Sequence, residues 1–417
     1  MNVNFKYKKD EIFGVVNQGK ILGEIMPNTR EVLEDPTEEI YLALQNPVGT
    51  QPLSVMAVGK KKVAIVISDQ TRPVKSKILI PPLLEILQKA GISKTQISII
   101  VALGIHRPLT ETELIQLVGE EIFSSVSVYN HDPNDVIHMG YTTRGTPLEI
   151  NRRFIEADLR ICTGNIDLHF FAGYAGGAKA VMPGLSTRNA IANNHKMQLS
   201  PYAQSGVLNG NPVREDIDEA GKIIGIDFIL NLVQNEEKEI IAVCAGDVIE
   251  AHRYGCKIID QMYKISLKER ADVVIASAGG DPKDVNLYQA QKSLDNAAHA
   301  VKPGGIIFLI AACGEGYGES IMEQWLLEAN GNPDVVLERL SKEFVLGGHK
   351  AAAIARVAKK AQIILLSEMS DHRTQDAFMK PVKSFSEGID LCKLQPDKTV
   401  WLMPYACYTL PEEEITS

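Results

Sequence analysis

The chain has 417 residues, of which 45% are hydrophobic and 23% charged, so it can bury at least one large core. Its formal net charge of −9 disfavours broad binding to nucleic acid or to an anionic membrane, and a small anionic ligand would need a local cluster of positive charge. Six scattered cysteines without a Cys-x-x-Cys pair, no apolar run near the ~18 residues of a membrane span and no signal-peptide segment together predict a cytoplasmic protein with reduced thiols.

The first half of the chain predicts alternating strands and helices after a β-rich start. Apolar runs predict buried strands at residues 62–67, 96–103, 126–130 and 154–162. Apolar residues at helical spacing predict helices at residues 76–90 and 110–118. Pro81 and Pro82 should kink the first of these helices or delay its start.

Three of the predicted strands end in polar turns marked by glycine or proline. The turns are S-D-Q-T-R-P, G-I-H-R-P and T-G-N-I-D-L-H. In open α/β sheets, ligands bind at the carboxyl ends of the strands, so Asp69, Arg72, His106 and His169 are candidates for one pocket. A chance coincidence of polar strand ends is the alternative interpretation.

The stretch from Thr163 to His195 contains five glycines together with His169 and Lys179. Glycine allows backbone amides to approach a ligand closely, and a helix starting near Gly177 would direct its N–H groups at an anion. The stretch does not match a P-loop, and neither an H-E-x-x-H motif nor a cysteine pair predicts a zinc site. The apolar neighbours of Lys179 favour a partly buried, activated lysine over a solvated one. The six histidines outside these turns and this stretch are expected to be structural.

The second half of the chain predicts a separate α/β domain, with the boundary close to residue 267. Strands are predicted at residues 271–276, 304–312, 362–367 and 399–403. A helix that begins near Asn286 carries Tyr288, Gln289 and Lys292, and helical spacing places Lys292 on one face with the other two. The predicted domains are therefore residues 1–267 and 268–417, each a largely parallel or mixed sheet flanked by helices.

Taken in order, five motifs closely resemble those of the nickel-dependent lactate racemase family. They are S-D-Q-T-R-P, G-I-H-R-P, H-F-F-A-G-Y-A-G-G-A-K-A-V-M-P-G, N-N-H and P-K-D-V-N-L-Y-Q-A-Q-K. The resemblance covers nearly the whole chain and implies a racemase or epimerase of small 2-hydroxy acids, with lactate as the default substrate and the active site in the cleft between the domains. It also implies nickel and a covalently attached nickel pincer nucleotide, pyridinium-3-thioamide-5-thiocarboxylic acid mononucleotide, which separate cofactor-synthesis enzymes load.

The resemblance also implies a role for individual residues. Lys179 matches the covalent tether, His195 matches the nickel ligand, and His106 and His169 match the two acid/base histidines. The residues implied to contact the cofactor are Asp69, Gly176, Gly177 and Tyr288, and those implied to contact the substrate are Arg72, Gln289 and Lys292. In the implied reaction, one histidine takes the hydroxyl proton while the Cα hydride moves to the cofactor, and the second histidine serves the opposite enantiomer.

The chain departs from the family pattern in three places. Leu168 stands where the family often has proline, and Ala175 stands where serine is common. Residues 349–353 lack the tryptophan of lactate enzymes, so a larger substrate side chain could fit. Two other classes of function stay open, namely a hydrolase or lyase that uses His106 and His169 with a divalent metal, and a non-catalytic binder of a phosphorylated nucleotide.

Overall fold

The structure is a computed structural model that describes residues 1–72, 74–342, 345 and 347–414. The chain forms two compact units, Arg30–Gln261 and Met1–Thr29 together with Met262–Ser417. Each unit contains a sheet with helices packed against it, which confirms the predicted α/β class with two domains. Within the described ranges, no helix is long and apolar enough to cross a membrane.

The strands and helices follow one another along the chain in both units. The strands are β1 (Asn2–Tyr7), β2 (Asp10–Val15), β3 (Lys20–Glu24), β4 (Val63–Ser68), β5 (Ile97–Ala102), β6 (Ser127–Asn130), β7 (Val136–Tyr141), β8 (Pro147–Asn151), β9 (Leu159–Ile166), β10 (Leu168–His169), β11 (Gly173–Tyr174), β12 (Phe228–Gln234), β13 (Ile240–Gly246), β14 (Lys264–Leu267), β15 (Ala271–Ser277), β16 (Val301–Ile310), β17 (Gln362–Leu366), β18 (Met379–Val382), β19 (Thr399–Met403) and β20 (Leu410–Glu413). The α-helices are α1 (Pro36–Gln45), α2 (Leu53–Met56), α3 (Ser76–Lys89), α4 (Glu111–Val118), α5 (Glu120–Ser125), α6 (Arg152–Ile155), α7 (Arg188–Lys196), α8 (Pro212–Ile224), α9 (Glu250–Tyr263), α10 (Leu287–Ala300), α11 (Ser320–Glu328), α12 (Pro333–Lys342), α13 (Gly348–Lys360), α14 (Asp371–Asp376) and α15 (Phe385–Cys392). Short 3-10 helices lie at Lys94–Gln96, Gly177–Ala180, Met197–Leu199 and Ala406–Tyr408.

The unit Arg30–Gln261 is built on a sheet with the strand order β13-β12-β9-β4-β5-β6. The β12–β13 pair is antiparallel, and the other neighbours pair in parallel. Alternate residues of β4 belong to different cores, because Ile65 and Ile67 pack on one face of the sheet and Ala64 and Val66 on the other. Burial on both faces explains the continuous apolar run that predicted this strand.

The other unit is built on six parallel strands in the order β18-β17-β16-β15-β19-β3. Its edge strand β3 comes from the beginning of the chain, and Lys20 N and Ile25 N donate to Lys398 O and Leu402 O, each at 2.7 Å. The compact units therefore differ from the predicted domains in the placement of residues 1–29 and of residues 262–267. Pairing between strands so distant in sequence leaves no local signal in the chain.

Three local differences concern the elements around the predicted site. Asn151 Oδ1 accepts a hydrogen bond from Phe154 N at 3.3 Å and caps the helical turn α6, so β9 begins later than predicted and runs on through Gly164. Helix α3 begins at Ser76 as predicted, and because it includes both of its prolines they do not delay its start. The helix predicted near Gly177 is a single 3-10 turn.

Candidate active site

The carboxyl ends of β4, β5 and β9 lie at one edge of the sheet, because the three strands are adjacent and parallel. The chain continues from β4 to β5 on one side and returns to β9 on the other. The strand order therefore reverses between β4 and β9, which is where ligands bind in open α/β sheets. Asp69 follows β4 directly, and His169 lies three residues beyond β9.

Asp69 and His106 form a direct pair at this edge. His106 Nδ1 lies 2.6 Å from Asp69 Oδ2, while Thr71 N and Oγ1 donate to Asp69 Oδ1 at 3.2 and 2.7 Å. Burial of Asp69 would raise its pKa, but the hydrogen bonds from His106 and Thr71 and the charge of Arg72 outweigh burial and hold the pKa below its usual range. The ionised carboxylate accepts the Nδ1–H of His106, so the neutral ring carries its lone pair on Nε2.

The His106 ring is accessible to a ligand. Its side chain is 39% exposed, and it forms part of the wall of a cavity of about 490 Å³ that Asn130 and Arg188 also line. A small molecule in this cavity can reach an imidazole that a buried carboxylate orients. This arrangement suits a general base.

Lys179 lies on the 3-10 turn that follows β9 and β11, and it is partly buried. Burial lowers its pKa well below the usual lysine value, and the positive charges of Arg72 and Arg214 lower the pKa further. The amine is therefore neutral over a wider pH range than that of a solvated lysine, which makes it a nucleophile. The effect of the Arg72 charge on Lys179 means that these two side chains lie within electrostatic range of each other, and Pro73, which follows Arg72, lies outside the described residues.

The backbone that leads into the lysine turn is held from inside the protein by Arg214. The fully buried Arg214 side chain donates through Nη1 to Tyr174 O at 3.3 Å and to Gly176 O at 3.5 Å. Its charge is balanced by Asp218, whose Oδ1 accepts from Arg214 Nε and Nη2 at 3.0 and 2.8 Å. The lysine turn thus rests on a buried ion pair.

His252 and Asn231 hold the same backbone at Ala175, between the two carbonyls that Arg214 contacts, and at Gly177, directly after them. His252 Nε2 donates to Ala175 O at 2.8 Å, and Gly177 N donates to Asn231 Oδ1 at 2.9 Å. Burial lowers the pKa of His252 to about 3, with the Arg214 charge contributing, so the ring is a neutral donor. This agrees with the structural role expected for His252, although nothing in the sequence indicated which backbone it supports.

The glycines of this stretch are required by its packing on itself. A Cβ at Gly173 would lie 2.0 Å from Val207 O, and one at Gly184 would lie 2.1 Å from Ala180 O. Gly177 has φ +60°, and its Cβ would lie 3.0 Å from the His252 ring. Internal packing alone therefore explains these glycines, and the assignment of Gly176 and Gly177 to a cofactor stays a prediction.

The rings of His169 and His195 both contact the ring of Phe171. The Phe171 ring centroid is 4.6 Å from that of His169 and 5.0 Å from that of His195, with edge-on geometry in both pairs. Ala172 N donates to His169 Nδ1 at 3.2 Å, so the neutral His169 ring carries its proton on Nε2. The structure thus brings these two predicted histidines into one cluster around Phe171.

His195 fits a metal ligand only if most other ligands come from outside the protein. In the described parts of the chain, no group of three or more histidine, cysteine, aspartate or glutamate side chains could hold a metal ion. Around His106 and His169, the described residues thus offer no such group for the divalent metal of the hydrolase or lyase alternative. A metal supplied within an organic cofactor needs only a single histidine such as His195, whose Nδ1 lies 3.1 Å from Asn194 Oδ1.

Tyr288, Gln289 and Lys292 belong to the other compact unit, on the first turns of α10. The helix is capped by Asn286, whose Oδ1 accepts from Gln289 N at 3.1 Å. The Tyr288 ring lies 6.5 Å from the ring of His349 and 5.2 Å from Lys350 Nζ. The assignment of the three α10 residues to substrate and cofactor stays a prediction.

The comparison with known proteins agrees with the motif order. Residues 7–206 match the lactate racemase N-terminal domain family, and residues 267–403 match the lactate racemase C-terminal domain family. The lactate racemase of Thermoanaerobacterium thermosaccharolyticum is 33% identical over 403 residues, which cover 94% of each chain. This chain belongs to the lactate racemase family. It is therefore an isomerase of the racemase class.

Three further matches agree with this, two of them to lactate racemases and the third to the fold alone. The lactate racemase of Lactiplantibacillus plantarum is 36% identical over 305 residues, covering 72% of this chain and 71% of that protein. The structure of the lactate racemase apoprotein from T. thermosaccharolyticum matches 99% of this chain and all of that chain, with a TM-score of 0.89 at 31% identity. A Thermotoga maritima protein with a TM-score of 0.64 at 19% identity shares the fold over 93% of this chain.

The family motifs alone did not reveal the residues that support the site. Arg214 and Asp218 are four positions apart on α8, a spacing that in a sequence indicates a surface ion pair. Asn231 lies within the buried strand β12, and the only indication of its role in the sequence is that it is a polar residue within an apolar run. A buried polar side chain needs a partner, so its presence in an apolar run indicates a specific contact.

Proposed function

We propose that this protein interconverts the enantiomers of a small 2-hydroxy acid, and that lactate is the substrate. The observation that carries the proposal is the Asp69–His106 pair at the sheet edge, together with the Lys179 amine, whose pKa is lowered by burial and by the charges of Arg72 and Arg214. Two relatives whose names state lactate racemase, one of them aligned over 94% of this chain, support the choice of lactate.

The residues present fit a covalently bound, nickel-containing nucleotide. Lys179 would hold it, because its amine is partly buried and has a lowered pKa, and His195 would supply the protein ligand to nickel. When bound, this cofactor would accept the Cα hydride of the substrate and return it, so that a flat 2-keto acid stands between the two enantiomers.

His106 is the first proton acceptor in this proposal, because the Asp69 carboxylate orients its ring. Its Nε2 lone pair takes the proton from the substrate hydroxyl, and the Asp69 carboxylate stabilises the imidazolium that forms. Arg72, next to Asp69, binds the substrate carboxylate through its planar guanidinium. The ordinary proton-transfer contribution of such a base is about 10²–10⁴-fold in rate.

His169 is the second proton carrier, for the opposite enantiomer. In the present geometry its Nδ1 accepts the Ala172 N–H at 3.2 Å, so Nε2 carries the proton. To take a proton on Nε2, the ring must give up this contact and move its own proton to Nδ1. His169 therefore starts as a hydrogen-bond donor and His106 starts as a base.

The departure of this chain from the family pattern bears on the side chain of the substrate. His349 and Lys350 lie beside Tyr288, in the region where lactate enzymes of the family tend to have tryptophan. A polar or larger 2-hydroxy acid is therefore a competing substrate. A panel of 2-hydroxy acids that includes lactate tests this point, and a larger kcat/KM for another member would replace lactate.

The test of the function uses protein expressed together with the cofactor-synthesis enzymes. We expect intact mass to show an adduct, peptide mapping to place it on Lys179, and chiral analysis to show conversion of each lactate enantiomer into the other. Lys179→Ala should lose both adduct and activity. Full racemase activity from protein of unmodified mass would contradict the covalent cofactor, and absence of racemisation from adduct-bearing protein would contradict the reaction.

A further inference from the structure

The side chain next to the proposed metal ligand contacts it directly. Asn194 is fully buried on α7, and its Oδ1 lies 3.1 Å from Nδ1 of His195. A histidine ring nitrogen can donate or accept, so this distance alone does not say where the proton lies. The other contacts of Asn194 decide the direction.

The amide nitrogen of Asn194 is committed to two acceptors. Nδ2 donates to Asp216 Oδ2 at 2.8 Å and to Val213 O at 3.3 Å, and neither of these groups can donate in return. Asn194 Oδ1 therefore faces His195, and an amide oxygen only accepts. The proton in this contact belongs to Nδ1 of His195.

Asp216 is itself held in place on the far side. It is fully buried, and it accepts hydrogen bonds from the hydroxyls of Thr142 and Thr146, the latter at 2.8 Å. A buried carboxylate with three donors in fixed positions has little freedom to turn. The chain of contacts from Asp216 through Asn194 to His195 thus has one direction of proton donation.

We propose that Asn194, oriented by Asp216, is a positioning residue that fixes the Nδ1–H tautomer of His195 and presents Nε2 as the metal-binding nitrogen. The proposal rests on the proposed function for the identity of the metal site, but its structural part concerns this chain alone. Histidines that bind metals commonly donate their second ring N–H to an oxygen acceptor, which fixes the ring and raises its basicity.

The neighbouring histidine gives an internal comparison. His169 accepts a backbone N–H at Nδ1, whereas His195 donates from Nδ1. The two rings that contact Phe171 are therefore expected in opposite tautomers, His169 with the proton on Nε2 and His195 with the proton on Nδ1. Chance alone would not favour this opposite pairing over a shared tautomer.

The first test measures ring tautomers in the protein without cofactor, by ¹⁵N NMR of labelled histidine at a pH where both rings are neutral. We expect Nδ1–H for His195 and Nε2–H for His169. In Asn194→Leu, His195 should shift toward Nε2–H, the tautomer that free histidine prefers in water. The matched control is Asn193→Leu on the same helix, because Asn193 Nδ2 donates to Asn189 O within α7 at 2.9 Å, and this variant should leave His195 unchanged.

Two results of this measurement would overturn the proposal. One is Nε2–H for His195 in the wild-type protein, which stands as a test even where Asn194→Leu does not fold. The other is an unchanged His195 tautomer in a folded Asn194→Leu protein, with folding judged from the dispersion of the amide spectrum.

The second test separates this proposal from the proposed function. Protein expressed with the cofactor-synthesis enzymes is assayed for the Lys179 adduct by mass and for nickel content during dialysis against a chelator. We expect Asn194→Leu to keep the adduct but lose nickel about 10–100-fold more readily than wild type and Asn193→Leu. Nickel retention equal to wild type overturns the role of Asn194, whereas a wild-type protein without any adduct overturns the proposed function and leaves the tautomer result to stand by itself.

Discussion

The two compact units use the same edge of a parallel sheet in opposite ways. In the unit Arg30–Gln261, the strand order reverses between β4 and β9, and Asp69, His106 and Lys179 gather there. In the other unit, the order reverses between β15 and β19, and the turn between β1 and β2 fills the position. Asp281 N donates to Lys8 O at 2.9 Å, and Lys8 N donates to Asp284 Oδ2 at 2.7 Å.

The comparison shows that the reversal of strand order gives the location of a potential site. The side chains at that location determine whether it can bind a ligand or only stabilises the fold. Both edges expose strand ends that need hydrogen-bond partners. At the first edge, ionisable side chains are available, and they are positioned by hydrogen bonds such as those of Thr71 to Asp69 and of Arg214 to the backbone before Lys179. At the second edge, the turn between β1 and β2 supplies the hydrogen-bond partners. The polar groups there therefore stabilise the fold.

The largest expected effect concerns the carboxylate of the first edge. Asp69→Asn removes the charge that accepts from His106 Nδ1, and we expect a fall in kcat of about 10²–10⁴-fold with little change in stability. The matched change at the second edge, Asp284→Asn, should lower the free energy of unfolding by about 1–2 kcal/mol and change kcat far less. Racemase rates and urea unfolding of Asp69→Asn and Asp284→Asn measure the two effects. Equal losses of kcat in the two variants would contradict the difference that we expect between the two edges.

The next effect concerns the buried support of the lysine turn. Arg214→Met removes two charge-assisted hydrogen bonds to Asp218, which keeps its ion pair with Arg253, and it takes a donor from the carbonyls of Tyr174 and Gly176. We therefore expect a loss of about 3–5 kcal/mol in the free energy of unfolding. Arg144→Met on the half-exposed ion pair with Glu215 should cost at most about 1 kcal/mol. Chemical unfolding of the two variants compares them, and similar losses would show that Arg214 does not carry the turn.

A smaller effect is expected where the hairpin turn fills the second edge. Ser277 is fully buried, and its Oγ donates to Lys6 O at 2.6 Å and accepts from Gly279 N at 3.0 Å. Ser277→Ala should therefore cost about 1–3 kcal/mol of unfolding free energy. Hydrogen exchange of the amides in β1 and β2 should become faster in this variant, and unchanged exchange there would mean that the hairpin is held by other contacts.

Much of the first edge could be predicted because its signals are local. The turns after β4 and β5 supplied Asp69 and His106 at strand ends, and the topology of parallel strands then required them to be near one another. The support of the site could not be predicted in the same way. Arg214, His252 and Asn194 act through partners between one and seventy-seven positions away, and those partners become neighbours only when helices α7, α8 and α9 pack.

The same reasoning explains why the sequence did not predict that β3, near the beginning of the chain, belongs to the unit formed mainly by the second half. β3 is short and partly exposed, so its pattern says that it is a strand but not which sheet it joins. Its partner β19 lies nearly four hundred residues later in the chain. The pairing depends on the unpaired edge of β19, which exists only once the sheet that contains β15 to β19 has formed. A long-range pairing of this kind is decided by what remains unpaired when the rest of the sheet has formed.

The smallest and most gradual effect is the pH dependence that Lys179 confers on stability. Burial and the charges of Arg72 and Arg214 lower its pKa in the folded protein, while in the unfolded chain the pKa returns to about 10.4. Between these two values the unfolded chain binds the extra proton, so the free energy of unfolding rises with pH, by at most about 1.4 kcal/mol per pH unit for one group. The apoprotein variant Lys179→Met, which has no such proton, should be more stable than wild type near neutral pH, and its advantage should shrink as the pH approaches 10. Urea unfolding at several pH values measures the gap between the two proteins, and a gap that stays constant would mean that the first edge does not hold this amine neutral.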